Sequence, residues 1–527
     1  MFFVGEFTKP VVAKDIVHIR NSVETESLLR GTVLCKWDHV FEWDDDCVKA
    51  SVLEQWRQLA DPYCDAALVD TFPSATSSTG IDLLESVQHQ ASKGPGPARD
   101  FIEHVNSPPP ESIRAPHVQI LRGQAFFYKY SAPILAALMH FSLAGGFASA
   151  RITRVLHSVS YLVPGKSSED GKYSVTQVTN DRTYKRLMET LQMVLDVMGG
   201  YAALVERETG KLNPPNAPHA LVPGEEGWRS TVRVRLLHGV ARRRIMDRLR
   251  HHESKPGTPS YDFDADGYAI NQEDMAATLA SFSIAPLWCL ARQGYHPSTS
   301  EMEDYLAIWK HTGFYLGIEP SFLSRHFSSI KVGEKFLASV IVHLLETPII
   351  QPEGQTPTSV YLPPPTMPIL RAISGRPPFP TTLAYNCALT RFLIGDPLAD
   401  HLEVPRTPLT QYVRVRIRLL INKVPYLFGK VYRIRNWEAR YTRLSREGLT
   451  RVVRWQLGMR RTAFRPRQED GDLAKGVQEA ESIVPNMTLG NAFVREWRFL
   501  IREMIGVIVG TAVLCAIAGW KFWKLVS

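Results

Sequence analysis

The stretch Trp228–Arg250, WRSTVRVRLLHGVARRRIMDRLR, reads as an amphipathic helix, and its reading decides the fold class. At about 100° per residue, His238 shares a face with Val234, Ala241, Ile245 and Leu249, so its imidazole points toward an apolar interior flanked by Arg235 and Arg242. Outward from this segment the same spacing recurs in Ala132–Ala150, Tyr184–Met198, Gln272–Ala285, Glu301–Leu316, Thr381–Gly395 and Pro408–Phe428. Strand-like alternation is sparse and no repeat of fixed period is visible. The class is therefore all-α, a helical bundle with its core between roughly residues 117 and 430.

Local signals mark the ends of these segments. Asn271 suits an N-cap, Glu273 and Asp274 then give an acidic first turn that complements the helix dipole, and the helix is expected to end or kink near Pro286. Residues 1–115 read as an N-terminal extension whose Ser/Pro/Gly-rich part, from about 90 to 115, is a loop or linker. A long Pro-rich loop is expected from Pro348 to Pro380. The expected organisation is 1–115 extension, 116–430 helical catalytic domain, 431–503 basic juxtamembrane region and 504–520 transmembrane anchor.

A chain of 527 residues with 44% apolar and 22% charged residues can bury a large core, which excludes a chain disordered throughout. Its six cysteines have no CxxC spacing, which supports neither a disulfide scaffold nor a zinc ribbon and favours a reducing compartment. The net charge of +8 is uneven: residues 412–467 hold 16 Lys/Arg against 2 acidic residues, so this segment is +14 and the remainder −6. Such a cluster should face solvent, phosphate or lipid head groups.

Lipid is the partner that the C-terminus suggests. Met504–Trp520, MIGVIVGTAVLCAIAGW, is 17 residues without a charge, enough to span a hydrocarbon core as a helix. Trp497, Trp520 and Trp523 suit the interfacial belts, and the flanking Arg495, Arg498, Arg502, Lys521 and Lys524 can snorkel. The expectation is a tail-anchored protein without a signal peptide, its body cytosolic by the positive-inside bias. A buried C-terminal helix is the competing reading. Nucleic-acid binding is the competing use of the basic segment, but no recognition motif supports it, and no nucleic acid is expected as a partner.

An imidazole emerging from an apolar wall can ligate haem iron, with Arg235 and Arg242 pairing propionates, although a lone histidine on such a face is more often a hydrogen-bonded core residue. Arg186 and Thr190 lie four apart on one helical face continued by Met193, Val194 and Val197, either as a polar head on an apolar wall or as a surface arginine beside a back-bonded threonine. Asp262-Phe263-Asp264-Ala265-Asp266-Gly267, ending at Glu273, matches calcium-loop spacing. Pro256, Gly257 and Pro259 break the entering helix, and an acidic loop capping the next helix is the simpler reading. His251-His252 lacks supporting ligands and is read as solvated.

Five ordered segments resemble one family: Arg186-xxx-Thr190, VRVRLLHGVARRRI around His238, GYAINQEDMAATLASFS at 267–283, YLAIWKHTGFYLGIEP at 305–320 and LTRFLIGDPLAD at 389–400. It is the family of rubber oxygenases (latex clearing proteins) and ER-bound mpaB oxygenases, and the resemblance covers about residues 117–430. It implies a globin-like helical core holding haem b, with O2 used to oxidise or cleave an alkene in a hydrophobic, isoprenoid-like substrate. By that resemblance His238 matches the proximal iron ligand, and Arg186 and Thr190 match the distal-side catalytic pair. Glu189 stands where rubber oxygenases have a lysine, about 48 positions separate Thr190 from His238, which suggests an insertion around Gly210–Gly227, and no general base is assigned. A haem-binding or membrane-associated scaffold without turnover is the alternative.

Overall fold

The computed structural model describes residues 1–159, 176–209, 218–251, 261–345, 364–378, 380–467 and 487–526. Residues 210–217 of the suggested insertion and the greater part of the Pro348–Pro380 loop lie outside the described residues. The fold is all-α in character, with one small sheet.

At the centre is the helix Gln272–Arg292, whose apolar run AATLASFSIAPLWCLA is buried on nearly all sides. It packs against Ile330–Leu344, Thr299–Tyr315 and Ser131–Ala137. Asn271 caps it as expected, accepting from the Asp274 amide at 2.9 Å. The helix does not end at Pro286 but runs on to Arg292. Proline removes the hydrogen bond to the carbonyl four residues back. That carbonyl, of Phe282, accepts instead from the Tyr305 hydroxyl at 2.8 Å. Tyr305→Phe should therefore orphan a buried carbonyl and cost about 1–3 kcal/mol, read as a lowered midpoint in chemical denaturation.

Tyr305 is held in place by an unusually close helix pair, Thr299–Tyr315 against His117–Lys129. A Cβ at Gly123 would lie 2.3 Å from the Asp304 carbonyl oxygen, so only glycine permits this approach. Arg122 then clamps the Asp304 carboxylate with bonds of 2.7 and 2.9 Å.

Residues 1–115 are not an extension with a linker. They carry a four-stranded sheet, β1 (Phe2–Phe3), β2 (Val17–His18), β3 (Val33–Lys36) and β4 (His39–Glu42), in the order β1-β4-β3-β2. Helices follow, and two of them, Leu83–Ser92 and Pro97–Asn106, reach into the stretch expected to be a linker, of which 107–115 carries no helix or strand. Asp82 caps the first helix, and Pro97 sits in the first turn of the second, where no amide hydrogen is needed. Leu83, Val87, Phe101 and Val105 join one core that runs from Val4 to Phe464.

The basic segment forms two helices, Leu409–Val431 and Trp437–Gln456, and a strap to Arg467. Part of its charge is neutralised inside the body rather than at solvent or head groups. Arg461 sits 3.0 Å from Asp196 and 2.9 Å from Glu226, Arg467 bonds Glu189, and Arg440 reaches Glu503 at 2.6 Å.

Among the described residues, two helices are long and apolar enough to cross a membrane, and burial separates them. Gln272–Arg292 has 78% of its apolar window inside the body, whereas Gly490–Val526 has 11%. The first half of the latter docks through Leu500 and Met504 on Trp437 and Leu444; beyond Met504 its side chains are exposed.

Candidate functional site around His238

The helix carrying His238 spans Glu226–Arg250, with Glu226 in its first turn and Arg248 and Arg250 in its last, in the sense the helix dipole favours. A Cβ on Gly239 would come within 2.6 Å of Cys64 Sγ and Leu68 Cδ1, so glycine lets this helix press onto Pro62–Thr71. That approach brings Asp61 and Asp65 to the two arginines flanking the histidine.

Arg235 is tied to Asp61: its Nε and Nη2 donate at 2.7 and 2.8 Å, and its guanidinium lies over the Phe101 ring, 5.2 Å from the centroid, while its Nη1 is buried without a hydrogen-bond partner among the described residues. Burial alone would raise the Asp61 carboxyl, but the charge and hydrogen bonds of Arg235, with the Arg242 charge and the Cys64 amide, together hold it below the ordinary carboxylate range. Arg242 is also buried but loosely held: Nη1 is 3.4 Å from Asp65, and neither Nε nor Nη1 has a hydrogen-bond partner among the described residues. Burial pushes Asp65 up to about 6, so part of its charge is lost near neutral pH.

His238 is half-buried, and its imidazole is desolvated by the surrounding protein. Its Nδ1 is buried without a hydrogen-bond partner among the described residues. Burial pushes the imidazole down to about 4, with the Arg242 charge adding and Asp61 opposing. The ring is therefore neutral at pH 7 and its lone pair is available. A hydrogen-bonded core histidine would have Nδ1 satisfied; this one does not.

The Arg186/Thr190 pair sits on the helix Gln177–Val197, on a different kind of surface. Thr190 is exposed, and its hydroxyl donates to the Arg186 carbonyl at 3.2 Å. Arg186 Nη1 donates to Glu189 at 2.9 Å, and Glu189 is buried between Arg186 and Arg467. This placement matches a back-bonded threonine beside an ion-paired arginine, and it lends no support to a catalytic role for the pair. The wall continuing from it is apolar and buried as expected at Met193, Val194 and Val197.

One charged cluster was not anticipated. Glu273 and Asp274, expected as an acidic first turn, are buried, in contact with buried Arg151 and His343 and half-buried Arg57. Arg151 lies 2.9 Å from both carboxylates, Arg57 Nε donates to Glu273 at 2.9 Å, and His343 Nε2 is 3.2 Å from Glu273. Burial would raise Glu273, but the His343 hydrogen bond and the Arg151 charge hold it down at about 2. Burial pushes Asp274 up to about 6 against the pull of Arg151. Sequence offered one hint: adjacent carboxylates open a long apolar helix.

The acidic loop before this helix divides its carboxylates among other tasks. Asp262 caps a short turn by accepting from the amides of Asp264 and Ala265, Asp266 is clamped by Arg154, and Glu273 is taken by arginines. No grouping of metal-ligand side chains occurs among the described residues. A cleft of about 1220 Å³ lies elsewhere, between the 117–129, 437–456 and C-terminal helices. Its walls carry ion pairs such as Arg122–Asp304 and Lys129–Glu301, a poor lining for an alkene, and do not include His238.

Fold and site together define a helical domain built round a desolvated, neutral imidazole. The chain belongs to the family described as ER-bound oxygenase mpaB/B'/Rubber oxygenase: the profile of its catalytic domain matches residues 134–423. Among solved structures, latex clearing protein LCP in the closed state is similar, with 15% sequence identity, a TM-score of 0.47, and coverage of 75% of this chain and 91% of that one. No curated protein sequence matches the chain.

Proposed function

We propose that this protein is a haem-dependent oxygenase that uses O2 to oxidise or cleave a C=C bond in a hydrophobic, isoprenoid-like or prenylated molecule, while anchored to a membrane by Gly490–Val526. The observation that carries the reading is the His238 ring: desolvated by the surrounding protein, neutral, and with a buried Nδ1 that has no hydrogen-bond partner among the described residues. Membership of an oxygenase family supports the reaction class.

The residues present fit haem b. His238 would be the axial ligand to iron, and haem when bound supplies the O2 chemistry. Arg242 would pair a propionate, because two of its nitrogens lack hydrogen bonds among the described residues; Arg235, held by Asp61 through Nε and Nη2 with only Nη1 lacking a hydrogen bond there, would act chiefly as a positioning residue for the helix. The buried apolar side chains of this helix and its neighbours limit water around the ring. Because burial keeps the folded-state imidazole near 4, protonation should not compete for its lone pair until the pH falls well below the ordinary histidine range.

The anchored body would stand on the cytosolic face, and the ER-bound description of the family suggests the endoplasmic reticulum. A second reading, a haem-binding scaffold without turnover, is favoured by the exposed, back-bonded Thr190. Oxygen uptake with polyprenyl alkenes separates the two. The oxygenase reading expects alkene-dependent O2 consumption with carbonyl or other oxidised products, diminished in Arg242→Ala together with haem retention. A haem-loaded protein that consumes no O2 with any such alkene would leave the scaffold.

A further inference from the structure

The helix Leu409–Val431 has two apolar faces, and the fold uses only one. Val415 and Leu419 turn inward onto Leu389 and Leu393 of the helix Leu383–Ile394. The opposite face carries Val413, Ile417, Leu420, Val424, Leu427 and Val431, a continuous helical stripe whose members are 37% to 85% exposed. Its borders are basic, with Arg414, Arg416, Lys423 and Lys430, and residues 409–431 contain no acidic side chain.

Three occupants suit an apolar stripe of this length: a second copy, another protein helix, or a bilayer surface. Pairing with the same helix of a second copy would set basic border against basic border, which like-charge repulsion disfavours. An anionic bilayer complements both features at once, taking the apolar stripe into its acyl boundary and the basic borders at its head groups. Continuity decides for it. The C-terminal end of this helix reaches, through Phe428 and Tyr432, the cluster of Trp437, Leu500 and Met504 where the C-terminal helix leaves the body, and Trp437 Nε1 donates to the Leu500 carbonyl at 3.3 Å. From Ile505 onward the C-terminal helix is exposed and apolar. The level at which the anchor enters lipid is thus the level of Val431.

We infer that Leu409–Val431 lies in the plane of the same membrane as an amphipathic interfacial helix, its outward stripe inserted among acyl chains, so that the body rests on the bilayer rather than hanging from a tether. This rests on the anchor reading above. The inner side of the same helix covers Leu389 and Leu393 of the family domain, so lipid and catalytic body would share a single helix as their wall.

The test uses the full-length protein in phosphatidylcholine vesicles containing phosphatidylserine, with acyl chains brominated or not. A bimane fluorophore is placed on Leu420→Cys or Val424→Cys in a Cys515→Ala background, on Arg418→Cys as the off-stripe control, and on native Cys515 as the anchor control. Brominated chains should quench positions 420, 424 and 515 by about twofold or more and leave 418 nearly unchanged, as expected for a helix seated at the acyl boundary. Quenching at 515 with 420 and 424 behaving like 418 would overturn the in-plane helix and leave the anchor standing. Blue-shifted but unquenched emission at 420 and 424 would also overturn it, in favour of a protein partner or second copy. Absence of quenching at 515 would remove the anchor itself, and the inference with it.

Discussion

A His238→Ala variant is expected to purify without a Soret band while keeping its helical circular dichroism. The imidazole is desolvated, neutral and unpartnered at Nδ1 among the described residues, so removing it would delete the proposed iron ligand without breaking a hydrogen bond known to hold the fold. Haem retention should fall by more than about 10-fold, the lower end of what losing even an outer-shell partner costs a metal site. Added imidazole should restore part of the band in His238→Gly, a rescue that a merely structural histidine would not show. The pH dependence has a defined sign. The folded-state imidazole is held near 4, below its ordinary value of 6.5, so the unfolded chain binds the extra proton first. Haem-free protein should lose stability as pH falls from about 6.5 toward 4, and His238→Ala should lose less over that window.

The second large effect concerns stability. Glu273→Ala is expected to cost about 3–5 kcal/mol, because it strands Arg57 and Arg151 in the interior without their shared carboxylate. A large drop in the thermal or urea midpoint would show it, and replacing Glu273 and Arg151 together by leucine should recover part of the loss. The carboxyl is held at about 2 in the folded state, below its ordinary 4.5, so its contribution is fully present above about pH 4.5 and disappears as pH falls through 2. The wild type should therefore lose its advantage over the variant in acid. A variant as stable as the wild type at pH 7 would mean that the cluster does not hold the helices Gln272–Arg292 and Ile330–Leu344 together.

What could be read from sequence was whatever a single segment specifies. The His238 helix was expected at Trp228–Arg250 and spans Glu226–Arg250, and the core helix start at Gln272 follows from its Asn271 cap. The misreadings share one cause, compensation from far along the chain. Pro286 does not end its helix because Tyr305 satisfies the freed carbonyl, and no local pattern announces that partner. Glu273 and Asp274 read only as an acidic first turn until Arg57, Arg151 and His343 converge on them from three other helices. The 90–115 stretch reads as a linker by composition, yet Gly96 and Pro97 within it mark the start of a helix whose apolar face is buried. The arginines flanking His238 were legible as a pair, but that Asp61 occupies one and leaves the other loosely held required the fold.

Absorbance and iron analysis of the intact protein, purified from haem-replete cells, test the central claim most directly. The account predicts a Soret band and haem b in amounts approaching one per chain. A well-folded protein containing neither porphyrin nor iron, and taking up no added haemin, would contradict it.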